Sequence, residues 1–199
     1  MSDLRYYLGV DAGGTKTHAL IADSSGCIHG AGRAGTGNWE SVGLDGALRA
    51  VEWTEHDDRM DRSFRLQYGP DGYALKNARS PGGHSAALRA YFDGELTAID
   101  KLKVATGGTP FQKSVWKALR AIPCGETITY AALAERVGRP KAVRAAGHAN
   151  GDNPISVVVP CHRVIGTNGS LTGYGGGIER KRWLLAHEQG SNNAERSRR

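Results

Sequence analysis

The sequence predicts an α+β protein, with a small N-terminal β-meander followed by a mainly helical C-terminal part that contains a helix-turn-helix. Three observations carry this reading. Strand-like runs separated by glycine-rich turns crowd residues 1 to about 54. From Thr109 onward, apolar residues recur at helical spacing between capping signals. Val157-Val158-Val159 reads as a buried strand that Pro160 stops, delivering Cys161, His162 and Arg163 just beyond it. We therefore expect a β-sheet domain over 1–100, a second domain over 101–190 and a disordered, polar tail over 191–199.

The elements follow in order. Tyr6-Tyr7-Leu8-Gly9-Val10 and His18-Ala19-Leu20-Ile21-Ala22 read as strands, and the Ser24-Ser25-Gly26 turn continues them into a meander. Leu48 to Trp53 is a further strand, and Thr54 to Gly83 reads as a polar connection punctuated by Gly-Pro and Pro-Gly pairs. Ser85 to Phe92 is a helix on the i, i+4 spacing of Leu88 and Phe92. Thr109-Pro110-Phe111-Gln112 is a capping box with proline at the first helical position. Phe111, Val115, Trp116 and Leu119 then share one face until Pro123 closes the segment. Thr129 caps a short helix with Tyr130, Leu133 and Val137, ended by Gly138. Pro140 at the first helical position opens a third helix, Lys141 to about Asn150, with Gly151 just past its end. The last two helices have the shape of a helix-turn-helix, though an ordinary helical hairpin fits the same pattern.

Composition narrows the function classes. The charge of +6 (26 basic minus 20 acidic residues) tilts the chain toward a polyanionic partner. Nothing reads as a signal peptide or a membrane span, and we expect a cytoplasmic protein. Cys27, Cys124 and Cys161 lie far apart, which argues against a disulfide framework and against a zinc site, although Cys27 and His29 offer two ligands. We expect no metal and no cofactor.

A cysteine beside a histidine at the end of a buried strand suits a nucleophile, but buried structural cysteines are equally common. The helix Lys141-Ala142-Val143-Arg144-Ala145-Ala146-Gly147-His148 is small and basic at once. Small side chains let a helix backbone approach a groove, and Lys141 and Arg144 lie i, i+3 where they meet phosphates or enter a base stack. Trp116 and Trp183 read as core residues.

Tyr130, Arg144, Asn153, Pro160-Cys161-His162-Arg163, Gly173-Tyr174-Gly175-Gly176-Gly177, Lys181 and Trp183-Leu184-Leu185-Ala186-His187-Glu188 together resemble the O6-alkylguanine-DNA alkyltransferase family, over about residues 47–189. The resemblance implies a ribonuclease H-like N-terminal domain and single-turnover DNA repair. An alkyl group leaves O6 of guanine, or O4 of thymine, for the protein's own cysteine. By that resemblance Cys161 is the nucleophile, His162 its base through a bridging water, and Glu188 the acid that orients His162. Tyr130 and Lys181 assist the leaving base. Lys141, Ala142, Val143, Ala145 and Ala146 allow minor-groove approach to double-stranded DNA, and Arg144 fills the stack vacated by a flipped base. Asn153, Val164, Tyr174, Gly175 and Gly176 form the pocket around that base. The implied protein is a monomer with no membrane association.

Residues 5–45 depart from that pattern. Leu8-Gly9-Val10-Asp11-Ala12-Gly13-Gly14-Thr15-Lys16-Thr17 and Gly35-Thr36-Gly37-Asn38-Trp39-Glu40 resemble the phosphate-loop hairpin of BadF and N-acetylglucosamine-kinase-type ATPases. The second phosphate turn and adenosine pocket of those proteins have no counterpart here, so we read the segment as a swapped meander rather than a nucleotide site.

Overall fold

The computed structural model describes residues 6–13, 16–23, 28–34, 38–42, 47–53, 57–69, 74–77 and 84–196. Strands β1 (Tyr6–Gly13) and β2 (Lys16–Asp23) pair antiparallel from Tyr6↔Asp23 to Gly13↔Lys16. β3 (Ile28–Ala34) continues antiparallel on β2, and β4 (Asn38–Val42) pairs with β5 (Leu48–Trp53). Gly14 and Thr15, Gly35 to Gly37, Cys27 and the turn at Ser24 to Gly26 lie outside the described residues.

β5 positions everything that follows. Its free edge takes up two later segments in parallel bridges, Leu48↔Val104 and Val51↔Ile155. The hydrogen bonds Val51 N–H to Pro154 O (3.0 Å) and Ser156 N–H to Val51 O (2.8 Å) fix the second segment five residues before Cys161.

Two elements fall inside the stretch expected to be a polar connection. Helix α1 (Asp57–Tyr68) carries Arg65 in its last turn, where a cation suits the helix dipole, and it buries Phe64. β6 (Ala74–Asn77) adds to the first sheet, parallel to β1. The sparse apolar content of α1 hid it, because one buried aromatic with Tyr68 a turn later makes no repeating stripe.

Helix α2 (His84–Phe92) forms as expected, but Leu88 and Tyr91 are its buried pair, with Phe92 only partly covered. Helix α3 (Pro110–Arg120) opens on the expected capping box: Thr109 Oγ1 accepts from Gln112 N–H, and Gln112 Oε1 accepts from Thr109 N–H. Val115, Trp116 and Leu119 are its buried face, and the Trp116 indole N–H donates to Ala149 O at 2.8 Å. β7 (Ile128–Thr129) is a two-residue strand, and Thr129 caps α4 (Tyr130–Arg136) by accepting from Ala132 N–H.

The expectation for the next helix needs correcting. Helix α5 (Val143–Gly151) begins three residues after Pro140, because Pro140 and Lys141 form a turn closed by Ala142 N–H to Arg139 O. Gly151 is the last helical residue, not the one beyond it. The Val157–Val159 strand is also corrected. These residues are buried but turn-like, and Val157 sits at φ 71°. For a β-branched residue that left-handed conformation is costly. A triple-valine run in the core is therefore bent, held by Val158 N–H to Ser156 O and Val159 N–H to Ile155 O. A short β8 (Val164–Ile165) pairs parallel with β7, and α6 (Ile178–Arg196) closes the chain. α6 runs through Gly190 to Arg196, into the segment that sequence reading leaves as a disordered tail, because Asn193 to Arg196 offers helix-compatible residues and an isolated glycine costs only about 1 kcal/mol.

The core spans both halves. Leu48, Val51, Leu88 and Tyr91 join Val115, Leu119, Leu133, Ile155 and Leu184 in one cluster. Trp183 is the exception to its expected burial: it is 50% exposed and stacks flat on His187, with ring centroids 4.8 Å apart. Lys181, Leu184, Leu185 and Glu188 form the buried stripe of α6, so the tryptophan falls beside it rather than on it.

Candidate active site

Cys161, His162 and Arg163 form one 3-10 turn directly after Pro160, closed by Arg163 N–H to Pro160 O. All three side chains are buried, and Cys161 is only 4% exposed. Asn153, at the end of α5, organises the approach to this turn. Its amide NH₂ donates to Val159 O (2.8 Å) and to Cys161 Sγ (3.1 Å), while its oxygen accepts from Ile155 N–H (3.0 Å). Burial pushes the Cys161 thiol above its ordinary range. The Asn153 hydrogen bond and the charges of Arg59 and Lys181 pull in the opposite direction.

Behind the sulfur lies a carboxylate hub. Glu188 Oε1 faces His162 Nε2 at 2.8 Å and accepts from Tyr91 OH (2.7 Å) and Arg163 Nη2 (2.8 Å). Its Oε2 accepts from Arg163 Nε (2.9 Å) and Gly125 N–H (3.1 Å). Burial alone would keep Glu188 protonated, but the hydrogen bonds from His162 and Arg163 outweigh it, and the carboxyl lies far below the usual range. Burial pushes His162 below its ordinary value, against the pull of Glu188. Its Nδ1 is buried and makes no hydrogen bond to protein. At neutral pH this arrangement holds a neutral thiol, a neutral imidazole and an ionised carboxylate.

A second cluster gathers on the loop before α6. The fully buried Lys181 ammonium donates to Val164 O (2.6 Å) and Thr172 O (2.9 Å), and Tyr130 OH donates to the same Thr172 O (3.0 Å). Lys181 Nζ lies 5.8 Å from the Tyr130 ring centroid. Burial lowers the Lys181 ammonium and raises the Tyr130 phenol. Tyr174 is buried, edge-on to His162 with centroids 6.5 Å apart. A Cβ at Gly175 would lie 2.1 Å from the Arg59 guanidinium, so a side chain there would displace Arg59 from its pairing with Glu52 (2.6 Å) and from Gly151 O (2.7 Å). Gly176 is buried beside it and accepts from Arg180. Val164 is buried, and it is its carbonyl that meets Lys181.

On α5 and the turn before it, Lys141, Arg144 and Ala145 are exposed, and Ala142 and Val143 are half-buried. Ala146 is corrected: it is fully buried in the core, so it cannot share the outward face. The 100° step per residue turns it inward from Arg144 and Ala145.

Sequence reasoning passed over Tyr91, Gly125 N–H and the role of Arg163. Arg163 stood next to the histidine and was the detectable one. Tyr91 lies ninety-seven residues from the carboxylate it touches, and no local pattern marks it.

Residues 110–190 match the family model for the 6-O-methylguanine DNA methyltransferase DNA-binding domain. The Methylated-DNA--protein-cysteine methyltransferase of Shigella flexneri is 60% identical over 141 residues, covering 71% of this chain and 82% of that protein. The chain belongs to the methylated-DNA–protein-cysteine methyltransferase family. The methyltransferase of Mycolicibacterium paratuberculosis is 54% identical over 114 residues, 57% of this chain and 68% of that one. Among solved structures, Mycobacterium tuberculosis OGT in complex with DNA matches with a TM-score of 0.64 and 36% identity, covering 93% of this chain and 94% of that chain. The methyltransferase fold is thus a mixture of helices and small sheets. Among the described residues no cluster of metal-binding side chains occurs, and no helix is long and apolar enough to cross a membrane.

Proposed function

We propose that this chain repairs DNA by moving an alkyl group from O6 of guanine, and from O4 of thymine, onto its own Cys161, once per molecule. The observation that carries this is the buried Cys161 sulfur, held by Asn153 on a turn whose next residue is the Glu188-bound His162. Family membership supplies the substrate class.

The step balances as follows. The Cys161 thiol passes its proton through a water to His162 Nδ1, and the ionised Glu188 stabilises the imidazolium. The thiolate attacks the alkyl carbon in line, an S–C bond forms, and the C–O6 bond breaks with its electron pair going to oxygen. Lys181 spends two of its three donors on Val164 O and Thr172 O and keeps one for O6. Tyr130 donates a hydrogen bond to N3 of the leaving base, which requires its hydroxyl to let go of Thr172 O, and the proton held on His162 returns through the water to the departing guanine anion. The resulting thioether has no route back to a thiol, so the protein reacts once.

We read α4 and α5 as a helix-turn-helix that enters the minor groove of double-stranded DNA, with Lys141 and Arg144 outward and Arg144 replacing the flipped base. The loop of Tyr174, Gly175 and Gly176 walls the pocket, and Asn153 orders its floor. The N-terminal strands form a ribonuclease H-like meander in which residues 5–45 are a swapped segment in place of the family's usual first strands. The reaction needs no second copy, and the protein acts as a monomer in the cytoplasm. Single-turnover incubation with a methylated duplex, followed by mass mapping, should place one methyl on Cys161. An unchanged mass with intact binding would make this a lesion-binding protein instead.

A further inference from the structure

We propose that Tyr91, delivered by α2 from outside the segment matching the DNA-binding domain model, is a positioning residue that holds Glu188 on His162. The inference rests on the alkyl-transfer reading above. Tyr91 is fully buried, and its hydroxyl donates at 2.7 Å to Glu188 Oε1, the same oxygen that faces His162 Nε2. Both ends of this residue engage α6. His187 Nε2–H donates to the Tyr91 backbone oxygen at 2.8 Å, so neighbouring residues His187 and Glu188 grip the carbonyl and the hydroxyl of one tyrosine. The ring is fixed by edge-on contacts with Phe92 and His187.

This phenol differs from a core tyrosine that merely finds a partner. Glu188 already receives two hydrogen bonds from Arg163 and one from Gly125, enough to satisfy a carboxylate. A further donor on Oε1, the oxygen that faces His162, prevents the carboxylate from rotating off the ring. Burial and the Glu188 charge both oppose ionisation of the phenol, so it remains a donor through the working pH range. The other titratable or charged groups facing Tyr91, Glu188 and His162 are Arg163 on the turn, Cys124 after α3, and Lys181 and His187 on α6.

The test is Tyr91→Phe in the full chain, which keeps the ring and removes one hydroxyl. Single-turnover methyl transfer from an O6-methylguanine duplex is followed across pH, alongside duplex binding. Transfer by the active fraction should slow about tenfold, the scale of one hydrogen bond to a charged group, with duplex affinity unchanged. With Oε1 held less firmly on Nε2, the imidazolium is less stabilised, so the fall in rate on acidification should begin at a lower pH than in wild type. A reduced active fraction with an unchanged rate constant and pH profile would overturn the proposal and leave Tyr91 purely structural. In a Glu188→Gln background, Tyr91→Phe should cost nothing further; an additive loss would also overturn it. Wild-type protein that transfers no methyl would instead sink the functional reading itself.

Discussion

Replacing Glu188 with glutamine tests the centre of the site most directly. The substitution keeps the shape and removes the charge that five hydrogen bonds converge upon. Arg163, buried beside it, would lose its ion-pair partner; only Ile122 O at 2.7 Å would remain. Breaking one side of a buried pair costs about 3–5 kcal/mol, and a domain of this size is stable by roughly 5–15 kcal/mol. Glu188→Gln should therefore lose about a fifth or more of its unfolding free energy in urea denaturation. Adding Arg163→Met should recover part of that loss, since an uncharged pair strands nothing. The imidazolium loses its counter-charge as well, and amide-for-carboxylate changes in acid–base relays slow reactions by about 10⁴-fold. Transfer from benzylguanine, which needs no DNA, reads this separately. A Glu188→Gln protein as stable as wild type, with no recovery on adding Arg163→Met, would refute the argument.

Further outcomes are expected. Cys161→Ala should abolish transfer to the protein by mass spectrometry while leaving duplex affinity within about threefold, because the Cys161 side chain is buried and Lys141 and Arg144, the residues proposed to meet DNA, are exposed. Arg144→Ala should slow repair in duplex at least tenfold more than reaction with free benzylguanine; equal losses would remove Arg144 from base extrusion. Stability should fall with acid in two stages. His162 is held below its ordinary value, so the unfolded chain takes up a proton first, and stability drops as pH passes below about 6.5. Glu188 is also held low, so a further loss begins below about 4.5 as the unfolded carboxyl protonates. Melting temperatures measured from pH 8 to about pH 2.5 check both, and a profile flat between pH 7 and pH 5 would contradict the buried neutral imidazole.

What the sequence displays and what it hides follow from how local each cause is. The Thr109 capping box, the Thr129 cap and strand Leu48–Trp53 are set by neighbours in the chain, and all three stand where the residues place them. Cys161, His162 and Glu188 were readable through a spaced motif. The bend at Val157 was not, since three β-branched residues favour extension and only the pull of Asn153 and the β5 edge on either side overrides them. Trp183 misled for the opposite reason: its size suggests burial, whereas its place on α6 is set by Lys181 and Glu188, two charged residues occupying the inward stripe. Helix α1 and Tyr91 owe their roles to contacts across the fold.

The attachment of residues 154–156 to Val51 has a bearing on how the molecule can be divided. The nucleophile's turn borrows backbone partners from a strand more than a hundred positions upstream, so the catalytic half is not a self-sufficient module. Severed before α2, it would leave amide and carbonyl groups at Ser156 and Pro154 unmatched and remove Leu48, Ala50, Val51 and Phe64 from the shared core.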